Sequence, residues 1–505
     1  MQRKLKKPCK SDTHSSSVHE GKKALRCEMC GKTCFNMTRL TEHIAAIHEG
    51  KKPFRCDICD YRCFQKNYMN RHEHIFKCEP TGGKLKWGTI IPLIGGSSIG
   101  CSKSAGNLPI FHLSYTPFKN NEAHLEQYWT KVPKYYIDQD QEPENMKGVD
   151  YINTCAGLSM LNKSKGAGVG DGSDAKMSKW MFKSTEYALE RIKPKVMWGE
   201  NVHSLFTQTG QGIVDRLRKL GAEHGYSFSI MKADTELHGI PQRRIRTFYF
   251  FWNTPTVPQL TWKNARNKSI SDYLKEIPQN ATQQDMFMTR GKVSERFRPY
   301  QFVLEREGLT HREFREKHKT KSGFTVSQYL ERNNLEQECI DWLEKYYPNE
   351  TFAQKANART HIEYVHHCMN KKAMGKSYWD DSPRFFDKSC GPLMYNTMFA
   401  VVHPDEDRFL NAREMMHLMG MPHDFEIDTV KNIKHIAENV PVHTAKDWAD
   451  EVKLFCQGKL KMTKYSFMKQ DNTTHTIIST DGCDLATIAA TPAKDLGLVK
   501  VLVKQ

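Results

Sequence analysis

From residue 87 to Trp252, short apolar runs such as Thr89 to Ile94 and Tyr151-Ile152 alternate with Gly-rich turns and helix-like segments such as Lys183 to Ile192. Apolar runs of strand length, separated by longer amphipathic stretches, predict βα units and a mainly parallel sheet. Residues 254–385 are more polar and irregular, with charged helical patches near Phe302 to His318 and Val326 to Tyr347. The compact α/β pattern returns from Ser389 to Val452. Residues 457–505 form an extension with strand-like pieces at Thr476 to Ile478 and Leu498 to Val503, and its role is left open. Before all this, residues 1–24 are polar and rich in Lys, Ser and His, the composition of a disordered basic tail. Residues 25–80 hold two similar units joined by His48-Glu-Gly-Lys-Lys-Pro-Phe54. The expected division is 1–24, 25–86, 87–253, 254–385, 386–456 and 457–505.

Composition narrows the class. At 505 residues, with 38% hydrophobic and 10% aromatic content, the chain has material for a sizeable core. No apolar run approaches the roughly 18 residues of a membrane span. The start, Met1 to Lys10, lacks the apolar stretch of a signal peptide, so an intracellular protein with no membrane partner is expected. The net charge of +17 is uneven: residues 1–86 hold 19 Lys+Arg and 9 Asp+Glu, so 19 − 9 = +10 lies there. Local excess of this sign favours a polyanion, although it also suits a solvated basic tail. The 15 cysteines, in a chain without an export signal, point to metal ligation or catalysis before disulfides.

The two N-terminal units carry the metal pattern. The first reads Cys27-x2-Cys30-x12-His43-x4-His48, with Leu40 in the core position three residues before His43. The second reads Cys56-x2-Cys59-x12-His72-x5-Cys78, with Met69 in that position; His74 follows His72 too closely to share its helix face. Two thiolates from a hairpin and two ligands from a helix suit tetrahedral zinc, in two structural Zn2+ sites within small ββα fingers. Cys34 and Cys63 read as packing residues. In the groove-docking geometry of such fingers, Asn36, Arg39 and Glu42 of the first helix, and Gln65, Tyr68 and Arg71 of the second, would face bases. A protein-contact or purely structural finger pair is the competing reading.

Three later stretches carry reactive chemistry. Val149-Asp-Tyr-Ile-Asn-Thr-Cys-Ala-Gly-Leu-Ser159 ends a strand-like run with Cys155 in a turn. Pro194-Lys-Val-Met-Trp-Gly-Glu-Asn-Val202 ends another with Glu200, and His238-Gly-Ile-Pro-Gln-Arg-Arg-Ile-Arg-Thr-Phe-Tyr-Phe250 opens a third with Arg244 and Arg246. Taken alone, a turn cysteine is more often a buried inert thiol. Taken together and in this order, the stretches resemble the cysteine, Glu-Asn-Val and Gln-x-Arg-x-Arg motifs of cytosine-C5 DNA methyltransferases. Leu93-Ile-Gly-Gly-Ser-Ser-Ile-Gly100 is similar to the family's cofactor turn, Lys163-Ser-Lys-Gly166 to its mobile loop, and Arg408 to Phe425 and Asn439-Val-Pro441 to its late motifs. The resemblance covers about residues 87–456.

That resemblance implies an α/β fold: a class I S-adenosylmethionine-dependent methyltransferase (Rossmann-like) sheet with a target-recognition domain inserted at 254–385. It implies that S-adenosyl-L-methionine is the donor, held by Ile94, Gly95, Gly96, Phe118, Asp138 and Asn439. It gives Cys155 the attack on carbon 6 of cytosine, Glu200 the proton at ring nitrogen 3, and Arg246, with Arg244 more distant, the base's carbonyl oxygen. The partner implied is duplex DNA with the target cytosine flipped out, met by a monomer. One branch of the family modifies transfer RNA, but the wide insert and duplex-style fingers favour DNA. The sequence departs from the family at Thr154, Ala156 and Leu158 around the nucleophile, where proline, glutamine and an aromatic residue are usual. Ile94 replaces phenylalanine, Ser98 and Glu438 replace glycines, and the acid that binds the ribose is missing near Thr116-Pro117.

Overall fold

A computed structural model describes residues 25–34, 37–48, 54–55, 62–63, 85–155, 178–261, 265, 268–319, 323–352, 359–375, 382–394, 398–471, 476–479 and 499–502. Ten strands form one sheet: β1 Trp87–Ile90, β2 His112–Ser114, β3 Lys134–Tyr136, β4 Tyr151–Thr154, β5 Val196–Val202, β6 Ser227–Asp234, β7 Ile245–Trp252, β8 Phe467–Asp471, β9 Thr476–Ser479 and β10 Val499–Leu502. Their spatial order is β10-β9-β8-β6-β7-β5-β4-β1-β2-β3. Strands β3, β2, β1, β4 and β5 run parallel, and β7 lies antiparallel between β5 and β6. The strand order reverses between β1 and β4, and the crevice outside their C-terminal ends is where such sheets place their sites.

Helices cover both faces, which is why the central strands are apolar on both sides. Helix α1 is Gly96–Ala105, α2 Lys119–Tyr128, α3 Ser178–Tyr187, α4 Gln211–Glu223 and α5 Val442–Cys456. On α5 the residues Val442, Ala445, Trp448, Ala449 and Val452 recur at helical spacing and are buried. Trp448 meets Phe248 and Phe250 of β7 at 5.5 and 5.9 Å. The alternate residue Phe251 points to the other face, where it stacks near Phe228.

A second apolar core gathers Val293, Phe297, Tyr300, Phe314, Leu330 and Leu343 with Val402 and Phe409. Packing divides the chain elsewhere than at 254 and 385: Val257, Leu260, Ile270, Tyr273 and Leu274 join the main core instead. The charged helical patches expected near Phe302 to His318 and Val326 to Tyr347 are helices here, Arg298–Glu307, His311–Lys317, Val326–Arg332 and Glu336–Tyr346, and His361–Ala373 is a further one. Capping boxes at Thr310, Thr325 and Thr360 fix the starts of three of its helices. The C-terminal extension is part of the main sheet, since β8 pairs in parallel with β6 from Phe228–Phe467 to Lys232–Asp471.

Among the described residues, several histidines are buried neutral in this packing. Burial pushes His311, His361 and His417 down to about 4. A histidine depressed in the folded state contributes stability that is present above the unfolded value of about 6.5 and is lost as pH falls toward the folded one. Lowering pH from 7 to 4 should therefore reduce thermal stability. His361→Gln, which removes one titrating group, should flatten that fall by on the order of 1 kcal/mol per pH unit. Identical pH dependence of the melting temperature in wild type and variant would show that His361 charges freely in the native protein.

Candidate active site and candidate metal centre

The three sequence stretches converge at one edge of the sheet. Cys155 follows β4, Glu200 sits in β5, and Arg246 sits in β7, diagonal to Glu200 because Phe248 is the residue opposite Glu200. The Cys155 thiol lies 3.7 Å from Glu200 Oε2 and is oriented to donate to it. Glu200 Oε1 lies 3.0 Å from Arg246 Nε. All three are largely removed from water, Cys155 at 3% and Glu200 at 8% exposure. Burial, and then the neighbouring Glu200, push the Cys155 thiol well above its ordinary value. Burial raises Glu200 too, opposed by Arg246 and Arg244. A desolvated carboxyl of this kind is suited to hold a proton near neutrality.

Arg244 differs from expectation. Its guanidinium donates to the carbonyls of Leu393 at 2.9 Å, Ala437 at 2.6 Å and Asn439 at 3.1 Å. Two terminal nitrogens committed to main-chain oxygens make it a brace for residues 437–439. Burial lowers Arg244 to about 9.

The glycine turn is held from far away in sequence. Asn439 Oδ1 accepts from Gly96 N at 2.7 Å, and Asn439 Nδ2 donates to Met421 Sδ at 3.0 Å. A Cβ on Gly96 would lie 2.1 Å from Val440 O and 2.2 Å from Asn439 Oδ1. A side chain at this position is excluded by the protein itself. Ile91, Leu93 and Gly95 adopt φ of 51°, 53° and 97°, a strained run for which Ile91 is an unusual residue. Ile91 O receives the Cys155 N–H at 3.3 Å, which ties the turn to the nucleophile.

The remaining cofactor candidates line adjacent strand ends. Ile94 is buried in the main core, backbone and side chain alike. Phe118 follows β2 and meets Trp180 edge-on at 5.5 Å, with Tyr115 4.7 Å from the same indole. Asp138 follows β3 and accepts from Thr116 N at 3.0 Å and from its hydroxyl, capping the turn that carries Phe118. A glycine turn, an aromatic ring and a carboxylate at three neighbouring strand ends fit a nucleoside with a charged tail.

Sequence reasoning missed several contributors. Asn153 Nδ2 donates to Ser97 Oγ at 2.9 Å, and Ser98 Oγ pairs with Thr89 Oγ1 at 2.9 Å, all buried between β1, β4 and α1. Tyr249 packs behind Thr154 and Gly199, where a Cβ on Gly199 would lie 2.4 Å from its hydroxyl. Trp180, beside Phe118 and Tyr115, is another. Only Asn153, two residues before the nucleophile, had a positional signal.

In the first N-terminal unit, hairpin Leu25–Arg26/Thr33–Cys34 and the helical segments Met37–His43 and Ile44–His48 bring Cys27, Cys30, His43 and His48 together. Their ligand atoms all lie within 4.8 Å of one another. Cys30 Sγ is 3.1 Å from His43 Nε2, and Cys27 Sγ is 3.4 Å from His48 Nε2. Bond lengths of about 2.3 Å to sulfur and about 2.0 Å to nitrogen subtend separations of this size, so the donor set fits tetrahedral zinc. Cys34 is buried as a packing residue. Cys56, Cys59, His72 and Cys78, the side chains of the six base-facing candidates, and Ala156, Leu158 and Lys163 to Gly166 lie outside the described residues.

The sheet order and helix placement are those of class I S-adenosylmethionine-dependent methyltransferases. The chain belongs to the C-5 cytosine-specific DNA methylase family, whose model matches residues 119–454. Solved structures similar to it include a putative DNA modification methyltransferase encoded within a prophage of E. coli (12% identity, covering 73% of this chain and 98% of that one, TM-score 0.41). Others are the Entamoeba histolytica methyltransferase EhMeth (11%, 73% and 98%, 0.39) and the S. pombe Dnmt2 methyltransferase (14%, 74% and 99%, 0.37). No curated protein matches the chain.

Gly96→Ala should force α1 away from residues 439–440. The expected loss is on the order of 1–3 kcal/mol, read as a lowered melting temperature. Wild-type stability would show that the Asn439 contact is dispensable.

Proposed function

We propose that the chain is a DNA (cytosine-5-)-methyltransferase acting through a covalent Cys155 adduct. The observation that carries this reading is the buried row of thiol, carboxyl and guanidinium. The S–H proton passes to Glu200 Oε2 as sulfur bonds to carbon 6 of the cytosine. Glu200 then delivers a proton to ring nitrogen 3 and neutralises the charge pushed into the ring. Arg246, anchored on Glu200 and on its neighbour's carbonyl at 2.8 Å, steadies the base's carbonyl oxygen. S-adenosylmethionine, when bound, supplies the methyl group to carbon 5. Water takes the carbon 5 proton, the carbon–sulfur bond breaks to release Cys155 as a thiolate, and the proton on ring nitrogen 3 returns through Glu200 to the sulfur.

Ile94, Gly95 and Gly96 offer the backbone for the donor, Phe118 and Asp138 its nucleoside side, and Asn439 the support beneath the turn. Arg244 acts through Asn439 as a positioning residue. The helical second core serves as the target-recognition domain, and the target base leaves the duplex stack to reach Cys155. Cys27, Cys30, His43 and His48 hold one zinc, and Cys56, Cys59, His72 and Cys78 a second. The basic N-terminal segment and its fingers tether the enzyme to duplex DNA inside the cell.

Duplex DNA carrying 5-fluorocytosine should trap wild type as a denaturation-resistant adduct and should not trap Cys155→Ser. Glu200→Gln should lower turnover by about 10²–10⁴-fold with DNA affinity retained. An adduct formed by Cys155→Ser would overturn the nucleophile, and 5-methylcytosine appearing in RNA alone would overturn the DNA substrate.

Elemental analysis of the full chain should give two zinc ions per molecule, and Cys30→Ala should remove one of them. A single zinc in wild type would remove the second ligand set.

A further inference from the structure

The chain that returns from the inserted domain lays a carboxylate beside the glycine turn. Helix α2 and residues 424–438 run antiparallel, joined by successive side-chain rungs. Tyr128 donates to Asp424 Oδ1 at 3.2 Å, and His124 Nε2 lies 3.6 Å from Asp428 Oδ1 with its ring 6.4 Å from that of His435. In the final rung Asn121 Nδ2 donates to Glu438 Oε2 at 3.0 Å. Asn121 belongs to the first turn of α2, three residues after Phe118. One turn further along, Leu125 packs against the glycine turn, where a Cβ on Gly95 would lie 2.4 Å from its Cδ1. Glu438 is thus tied to both features assigned above to S-adenosylmethionine, to the Phe118 turn through Asn121 and to Gly96 through its neighbour Asn439.

The backbone of Glu438 is held on both sides. Arg244 takes the carbonyls of Ala437 at 2.6 Å and Asn439 at 3.1 Å, the residues before and after it. A side chain between two clamped carbonyls keeps its direction, and the Asn121 amide fixes the plane of its carboxylate through Oε2. Among the described residues, Oε1 accepts no hydrogen bond. Glu438 is exposed, yet the protein crowding it raises its carboxyl above the ordinary value, with Lys434 and then Asn121 opposing. A group that water reaches while protein surrounds it lines a recess and not a convex surface. The other carboxylate at this edge, Asp138, is occupied by the amide and hydroxyl of Thr116.

We propose that Glu438, aimed by Asn121 and by the Arg244 brace, binds the α-ammonium group of S-adenosylmethionine. The contact rests on the methyl-donor reading above and adds a residue to it at a position where the family usually has glycine. Among the groups of S-adenosylmethionine that can donate a hydrogen bond, the ammonium of the amino-acid end is the one that also brings opposite charge, and such charge-assisted bonds are the stronger ones. Asn121 touches no ligand and acts as a positioning residue.

Calorimetric binding of two compounds to the full-length chain tests this without turnover. S-adenosylhomocysteine keeps the ammonium, whereas 5′-methylthioadenosine has the same nucleoside and no amino-acid end. Glu438→Gln should weaken S-adenosylhomocysteine by about tenfold or more and leave 5′-methylthioadenosine unchanged. Should that variant melt early, Asn121→Ala, which keeps the charge and removes its support, should still weaken S-adenosylhomocysteine alone by about threefold. Equal loss for both compounds in a folded Glu438→Gln protein, or loss for neither, overturns the ammonium contact. Binding of neither compound by wild type overturns the methyl-donor reading and the contact with it.

Discussion

Keeping the Glu200 carboxyl out of water, between a thiol and a guanidinium, is the constraint that organises the catalytic edge of the sheet. Stripping water from an ionised group costs several kcal/mol, and a partner must return most of it. Arg246 does so directly at 3.0 Å. The cost left over appears as raised proton affinity at Glu200. That residue of penalty is useful, because a carboxyl fully satisfied by its arginine would never carry a proton to a base. The flanking rings Trp198 and Phe248, both fully buried, maintain the dry surroundings on which this balance depends.

The same edge relies on chain segments far apart in sequence. The turn after β1 carries two left-handed non-glycine residues, a strain of roughly 1–3 kcal/mol each. Asn439 grips its glycine from 343 positions away, and Arg244 grips Asn439. Cys155 and the glycine turn are joined through Ile91 O, so displacement of residues 437–440 would be felt at Cys155. The inserted domain lies between Arg244 and Asn439 in sequence, which makes the brace a clasp closing the main domain across the insertion.

The residues legible in the sequence were those whose chemistry is local. A cysteine ending one strand, a glutamate within a second and an arginine opening a third announce themselves by type and order, and β4, β5 and β7 bring them together as expected. The first Cys/His cluster was legible for the same reason, being complete within Cys27 to His48. Arg244 was misjudged because its partners, Leu393, Ala437 and Asn439, lie more than a hundred residues on. The helices of the second core were legible where charge and helical spacing coincide, near Phe302 to His318 and Val326 to Tyr347, whereas His361–Ala373 was not read. Strand β8 escaped notice because Phe467-Met-Lys-Gln-Asp471 has no clear alternation. Its pairing with β6 is a long-range fact that no local pattern encodes.

The departures around the site look different once packing is known. Proline before a nucleophile stiffens the backbone by fixing φ. Thr154 obtains its stiffness otherwise: it is the last residue of β4, opposite Ile90 on one side and Gly199 on the other, and is fully buried. Its methyl would lie 2.8 Å from a Cβ on Gly199, so glycine there makes room for a branched residue here. Ser98 follows the same logic. A glycine in its place would permit close approach, but the hydroxyl instead bonds Thr89 and receives Asn153 at 3.3 Å, joining β1, α1 and β4 through side chains. Each change replaces a backbone restraint with a buried side-chain contact, leaving the aim of Cys155 toward Glu200 intact.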